Sequence, residues 1–239
     1  MRWSDGAVVG FDTETTGVDV TTDRIVTAAV VRREGTTTTI SSWLIDPGVE
    51  IPQGAAEIHG ITTDHARLHG RRPAGALEEI ADLLSQALLR GEPLVAFNAS
   101  FDLSLLDHEL VRHGLPTLAE RISRDIRVVI DPLVLDRHLD RFRRGKRRLG
   151  DLCGFYGVQS VADLHSADVD VLATLDVLGA IVQRYPEIAA LDLDDLHDRQ
   201  TTAHRAWAEG FNSWRTAQGL TGPGAESAWP IRLPEAVLV

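Results

Sequence analysis

The apolar run Ala7-Val8-Val9 leads into Gly10-Phe11-Asp12-Thr13-Glu14-Thr15-Thr16-Gly17, where a glycine turn signal closes the segment. This pattern predicts a buried strand ending in a tight turn. Residues 24–32 read as a second strand, and the β-branched alternation of residues 36–44 as a third. Asp46-Pro47-Gly48 marks a turn, and residues 57–62 a loop leading to a short helix. Leu77, Ile80, Ala81, Leu84 and Leu88 recur at helical spacing, which predicts an amphipathic helix over 74–89. A short strand follows at 93–97, then a helix over 99–113 that turns Phe101, Leu105, Leu106 and Leu110 inward. Gly114 and Pro116 stop that helix. A fifth strand at 128–130 ends at Asp131-Pro132, and residues 149–156 form a short helix. Ser166 is the predicted N-cap of an apolar helix over 167–184 that ends near Pro186.

Beyond residue 187 the pattern changes. Residues 192–217 fit one helix, with Leu196, Thr202, Ala203, Ala206, Trp207, Phe211 and Trp214 as its inner positions. Residues 219–239, rich in Gly and Pro, read as an extended tail. The expectation is an α/β layered domain over 1–186, with a C-terminal helix and tail over 187–239 packing on that domain or on a partner.

Composition changes this picture only at the margins. A chain of 239 residues, 44% hydrophobic and 25% charged, holds one sizeable core plus an appendage. The net charge of −11 argues against a broad nucleic-acid-binding surface. It leaves room for an enzyme that handles a short nucleic-acid end, because carboxylates that bind metal count as −1 each. One basic run, residues 137–148, could carry phosphate contacts, and it reads equally as a solvated loop with Gly145 at its tip. The single Cys153 excludes an internal disulfide framework and a cysteine-based zinc cage. No apolar run nears the ~20 residues of a membrane span, and the N-terminus lacks a signal-peptide core. A cytoplasmic protein with no membrane partner is expected.

The acids carry the chemistry. Strand alternation puts Asp12 and Glu14 on one side and Phe11 and Thr13 on the other. Two carboxylates at the end of a buried strand repel each other, and a hard divalent cation removes the conflict. A bare D-x-E also fits a polar strand end with solvated acids. Asp102 falls in the first turns of a helix that follows a strand, where the helix dipole favours a carboxylate; an ordinary N-terminal helix acid sits there too. In His165-Ser166-Ala167-Asp168-Val169-Asp170, a cap at Ser166 leaves His165 outside the helix and Asp170 inside its first turns. Asp170 is preferred to Asp163 and Asp168 because an unpaired charge between Val169 and Val171 would be expensive. Asp176 is the next candidate but has no partner motif.

The order D-x-E, N-x-x-F-D, H-x-x-x-x-D resembles the three motifs of the DEDDh family, the DnaQ-like 3′–5′ exonucleases, over roughly residues 5 to 185. Ile58-His59-Gly60-Ile61-Thr62, and Leu149-Gly150-Asp151-Leu152-Cys153 with Tyr156-Gly157, are similar as well. The resemblance implies a ribonuclease H-like fold, a mixed five-stranded sheet flanked by helices. It implies that Asp12, Glu14, Asp102 and Asp170 hold two divalent metal ions, with His165 as general base. All-oxygen donors favour Mg2+ or Mn2+ over zinc. The implied reaction releases nucleoside 5′-monophosphates from the 3′ end of single-stranded DNA or RNA.

Thr13, Thr15, Thr16, Asn98 and Phe101 are expected at the terminal nucleotide, although a turn or a helix cap would also account for the threonines and Asn98. His59 is expected to be structural. Phe97 and Thr27 depart from the histidine and glutamate common at those positions. Two rivals remain: an exoribonuclease of the same fold, and a non-catalytic, metal-dependent module that binds 3′ ends. A DNA polymerase or repair proteins are the implied partners. Trp207, Phe211 and Trp214 read either as a partner-binding stripe or as a face buried against the parent domain.

Overall fold

In the computed structural model, which describes residues 2–159 and 165–232, the chain opens as an antiparallel meander. It consists of β1 (Val8–Thr15), β2 (Ile25–Glu34) and β3 (Thr37–Leu44). Three helices follow: α1 (Gln53–His59), α2 (Thr63–His69) and α3 (Pro73–Leu89). The chain then passes through β4 (Leu94–Val95), α4 (Ala99–Arg112), α5 (Leu118–Ile122) and β5 (Val129–Ile130). It ends in α6 (Pro132–Leu139), α7 (Leu149–Tyr156), α8 (Ala167–Arg184) and α9 (Leu193–Ala217).

The sheet order is β3-β2-β1-β4-β5, with β4 and β5 parallel to β1. The parallel strands need crossovers, and α3 and α4 supply them. The expected mixed five-stranded sheet flanked by helices is therefore observed, together with the C-terminal helix.

The elements that periodicity could not reach are short. Helices α1 and α2 replace a loop and one helix, α5 was not anticipated, and α6 takes up the start of the basic run read as a loop. Each has eight residues or fewer, too few for a 3.6-residue pattern to declare itself. Ser166 occupies the N-cap position of α8, but its side chain makes no cap bond; the hydroxyl donates to Asp168 instead. Asp163 and the tail from residue 233 lie outside the described residues.

The two faces of the sheet carry two cores. Phe11 belongs with Leu77, Leu84, Leu103 and Leu106, the layer formed by α3 and α4. Ala29, Val31 and Val95 belong with Val171, Leu175 and Leu178 of α8 on the other face. Gly10 sets how closely α8 approaches. A Cβ there would collide with the Val171 side chain, so only glycine lets the helix settle onto β1.

Helix α9 lies over β5, an edge strand with backbone groups left open. Its buried residues are Leu196, His197, Gln200, His204 and Ala208. Gln200 donates to the Val129 carbonyl at 3.0 Å and accepts from the Asp131 amide at 2.7 Å. His197 Nδ1 accepts from the Val129 amide at 3.4 Å. This corrects the expected inner face: Thr202 and Ala206 are exposed, and Trp214 is 53% exposed. Leu196 is buried as expected and Ala203 packs on the core, but counting apolar residues missed His197, Gln200 and His204 because the surface beneath α9 is a strand edge that needs hydrogen-bonding side chains.

Candidate active site

The close seat of α8 on β1 has a direct electrostatic consequence. Gly10, Asp12 and Glu14 share a face of β1, so the helix that touches Gly10 carries Asp170 alongside the two acids. Asp12, Glu14 and Asp170 each offer a carboxylate oxygen within 4.8 Å of the others, and all three are half-buried. No arginine, lysine or histidine forms an ion pair with them among the described residues.

Burial pushes the Asp12 carboxyl well above the usual range, and the charges of Asp102, Asp170 and Glu14 push it further. Glu14 is raised to about 7 by burial, then by Asp170 and Asp102. Burial also raises Asp170, against the opposing pull of the His165 amide. A bound cation would relieve the burial and mutual repulsion that raise these carboxyls. Its all-oxygen donor set fits a hard divalent ion.

Asp102 arrives from the opposite face. It lies in the first turn of α4 and is 3% exposed. Its Oδ1 accepts from the Thr13 amide at 3.1 Å and from the Thr13 hydroxyl at 2.7 Å. Burial raises its pKa to about 7 while the Thr13 bonds pull it down. Thr13 thus points away from Asp12 and Glu14, as alternation requires, and uses its hydroxyl to tether the fourth acid.

The other predicted contacts separate. Thr15 donates its hydroxyl to the Gly17 carbonyl at 2.6 Å, and Thr16 to Asp23 at 2.8 Å. Both hydroxyls serve the turn, so any contact with a nucleotide falls to backbone groups. Asn98, Phe101, Asp12, Thr13 and Asp102 line one cleft of about 410 Å³, together with Phe97, Leu133 and Arg137. Asn98 is left-handed, at φ 62°, and its side chain does not cap α4.

His165 stands at φ 105°, a conformation rare for a residue with a side chain. Its amide donates to Asp170 at 3.3 Å and its side chain is exposed at the rim of the acid cluster. His59 Nδ1 accepts from the Ile61 amide at 3.1 Å, a local bond in the turn after α1.

Two contributors lay beyond the sequence reading. Asp131 is buried, and its carboxylate accepts from the amides of Asn98 and Ala99 at 3.1 and 3.0 Å, fixing the start of α4 and hence Asp102. Gln200 of α9 holds Asp131 in turn. Asp131-Pro132 reads as a simple strand end, and nothing local signals a partner 69 residues away. The basic run, read as a phosphate contact or a solvated loop, does reach the site: Arg137, Arg147 and Arg148 line the cleft that holds Asp12 and Asp102. The run was visible, but its orientation was not.

Residues 9–178 match the family model RNase_T, described as exonuclease. The chain is 34% identical over 177 residues to the PolC-type DNA polymerase III of Streptococcus thermophilus, covering 73% of this chain and 11% of the polymerase. For the Streptococcus pneumoniae enzyme of the same type, identity is 30% over 202 residues, covering 81% and 13%. The chain thus spans about a tenth of the length of these curated relatives.

Among solved structures, Escherichia coli exonuclease I in complex with a dT13 oligonucleotide superposes with a TM-score of 0.65 at 21% identity. That match covers 77% of this chain and 42% of the other. Exonuclease I of Methylocaldum szegediense gives 0.63 at 24% identity, covering 88% and 45%. These likenesses establish the ribonuclease H-like fold.

Proposed function

The chain belongs to the RNase_T exonuclease family, and from that premise we propose that it removes nucleoside 5′-monophosphates from the 3′ end of a DNA strand. The observation that carries this reading is the group of three half-buried carboxylates with no cationic side chain paired to it among the described residues. Asp12, Glu14 and Asp170 would hold divalent cations, Mg2+ or Mn2+, with Asp102 as the fourth acid. When bound, two such ions neutralise charge on the scissile phosphate and lower the pKa of a water molecule. The roles of the chain's own residues follow from position. His165, exposed beside Asp170, takes the proton of the attacking water. Arg137, Arg147 and Arg148 offer charge to phosphate oxygens in the cleft, and Phe97 and Phe101 offer faces to the terminal base.

A DNA substrate is favoured over RNA by two likenesses: the relatives are DNA polymerases, and the solved exonuclease I holds an oligodeoxynucleotide. We place catalysis in residues 1–186 and treat 187–239 as an appendage that braces it through Gln200 and Asp131.

The test is hydrolysis of 5′-labelled DNA and RNA oligonucleotides with Mg2+, Mn2+ or chelator. Stepwise shortening of DNA from the 3′ end, release of 5′-monophosphates and silence in chelator are expected. Preference for RNA would move the substrate to the exoribonuclease rival, and binding without cleavage would leave an end-binding module. His165→Ala should cost roughly 10²–10⁴ in rate while metal affinity stays nearly intact. Full activity in that variant would remove His165 from the role of base.

A further inference from the structure

Beside the acid cleft lies a second, larger depression of about 660 Å³, whose walls include Arg137, Arg141, Arg147, Trp207, Phe211 and Trp214. We infer that it is a second nucleic-acid subsite, in which bases of the strand 5′ to the reacting end stack on Phe211 and Trp214, with Trp207 under the Arg137 guanidinium as the inner wall, while Arg141 and the 141–148 loop engage phosphates. The inference rests on the nuclease reading for the identity of the strand. It deepens that reading by assigning a binding platform to α9, which lies beyond the segment matched by the family model.

Four observations support it. The rings form a ladder along one side of the helix. Trp207 and Phe211 have centroids 5.6 Å apart and planes 15° apart, and Phe211 and Trp214 follow at 5.9 Å and 30°. Second, the ladder is not core packing, because the buried side of α9 is Leu196, His197, Gln200, His204 and Ala208. Trp214 is 53% exposed, and Phe142 on the facing loop is 89% exposed.

Third, the charge suits a polyanion. In a chain of net charge −11, seven of the twelve residues from 137 to 148 are Arg or Lys. Arg143 and Arg147 are paired with buried Asp136, whereas Arg141, Arg144, Lys146 and Arg148 make no ion pair among the described residues. Fourth, the depression is continuous with the acid cleft. Arg137 and Arg147 line both, and the Arg137 guanidinium lies 3.7 Å from the Trp207 ring centroid. A strand leaving the acids therefore passes two shared arginines and meets stacked rings. Aromatic faces beside cations bind single strands with little regard to sequence. Rings and arginine also occur in protein interfaces, but the four cations of the adjoining loop that make no ion pair among the described residues favour a polyanion here.

The test compares the full chain with Phe211→Ala/Trp214→Ala and with Trp214→Phe. The probes are fluorescein-labelled oligothymidylates of about three and about twelve nucleotides, a length range spanning single-strand site sizes. Affinity is measured with Ca2+ in place of Mg2+, and hydrolysis with Mg2+. The double variant should lose about tenfold or more in affinity for the longer strand. It should bind and cleave the short strand as the wild type does, and Trp214→Phe should retain both.

Unchanged affinity for the longer strand in the double variant overturns the subsite, as does equal binding of both lengths by the wild type. Circular dichroism checks folding. If the double variant is unfolded, Trp214→Ala alone, at an exposed position, gives the same reading. A wild type that cleaves neither strand would defeat the nuclease reading, while the dependence of binding on length would still decide the subsite.

Discussion

Two groups of buried carboxylates in this molecule are treated in opposite ways. Asp136, fully buried in α6, meets the guanidinium of Arg143 at 3.0 Å and that of Arg147, and accepts from the Tyr156 hydroxyl at 2.9 Å. Glu92 likewise has Arg32 at 2.8 Å and Arg90 at 2.9 Å, and their hydrogen bonds, that of Arg90 foremost, draw its pKa down to about 2. At the end of β1, Asp12, Glu14, Asp102 and Asp170 have no such partner among the described residues, and burial pushes all four upward. At Asp136 and Glu92, arginine supplies the compensating charge. Where the chain withholds arginine, the compensating charge must come from outside. That contrast is stronger evidence for a cation site than acidity alone.

The sharpest way to break the contrast is to neutralise one acid in each group. Asp12→Asn or Asp170→Asn should lower hydrolysis by at least about three orders of magnitude. It should leave the metal-free protein as stable as the wild type or more so, since it removes repulsion. Steady-state rates and urea denaturation of the same samples check both halves. Loss of stability on that scale would show that the cluster is a structural feature after all.

The opposite pattern is expected at the compensated site. Asp136→Ala leaves two guanidiniums facing each other in a part-buried setting and should cost about 3–5 kcal/mol in denaturation.

Smaller effects follow from pH. Glu14 and Asp102, at about 7 when folded, have ordinary values of 4.5 and 3.8. The folded form therefore keeps protons that the unfolded chain has released. Their contribution is fully present below those ordinary values and is lost as pH rises through about 7. In chelator, the melting temperature should fall from about pH 5 to pH 8. Mn2+ at ~100-fold above its Kd should add about 2.7 kcal/mol at the upper end and flatten the slope. A slope identical with and without Mn2+ would dissociate the titration from metal binding.

The smallest effects belong to the basic run. Arg144→Ala and Arg148→Ala should each weaken oligonucleotide binding a few-fold and reduce its salt slope by about one, with stability unchanged within ~0.5 kcal/mol. Arg143→Ala and Arg147→Ala should lose stability as well, because both residues hold Asp136.

Legibility in the sequence followed the range of the physics involved. The faces of β1 and the first turns of α8 are local, so strand alternation put Asp12 and Glu14 on one side and an apolar flank singled out Asp170, but only the family resemblance implied that the three meet. The five strands and the long helices were readable for the same reason. The tether from Thr13 to Asp102 and the brace from Gln200 through Asp131 to Asn98 depend on contacts between distant segments. No window of the chain contains them. Helix α9 was recognised as a helix with Leu196 inside, but its polar inner residues were missed, since its partner is an open strand edge. The basic run was equally opaque: its spacing does not reveal that Arg143 and Arg147 turn inward to Asp136.

The central claim is that the acids of β1 and α8 form a cation site. Anomalous difference density from a crystal grown with Mn2+ and collected above the manganese edge tests it most directly. Peaks are predicted between the carboxylates of Asp12, Glu14 and Asp170, and their absence is predicted for Asp12→Asn. Manganese-free density at these carboxylates, in a crystal of protein that cleaves oligonucleotides with Mn2+, would contradict the account.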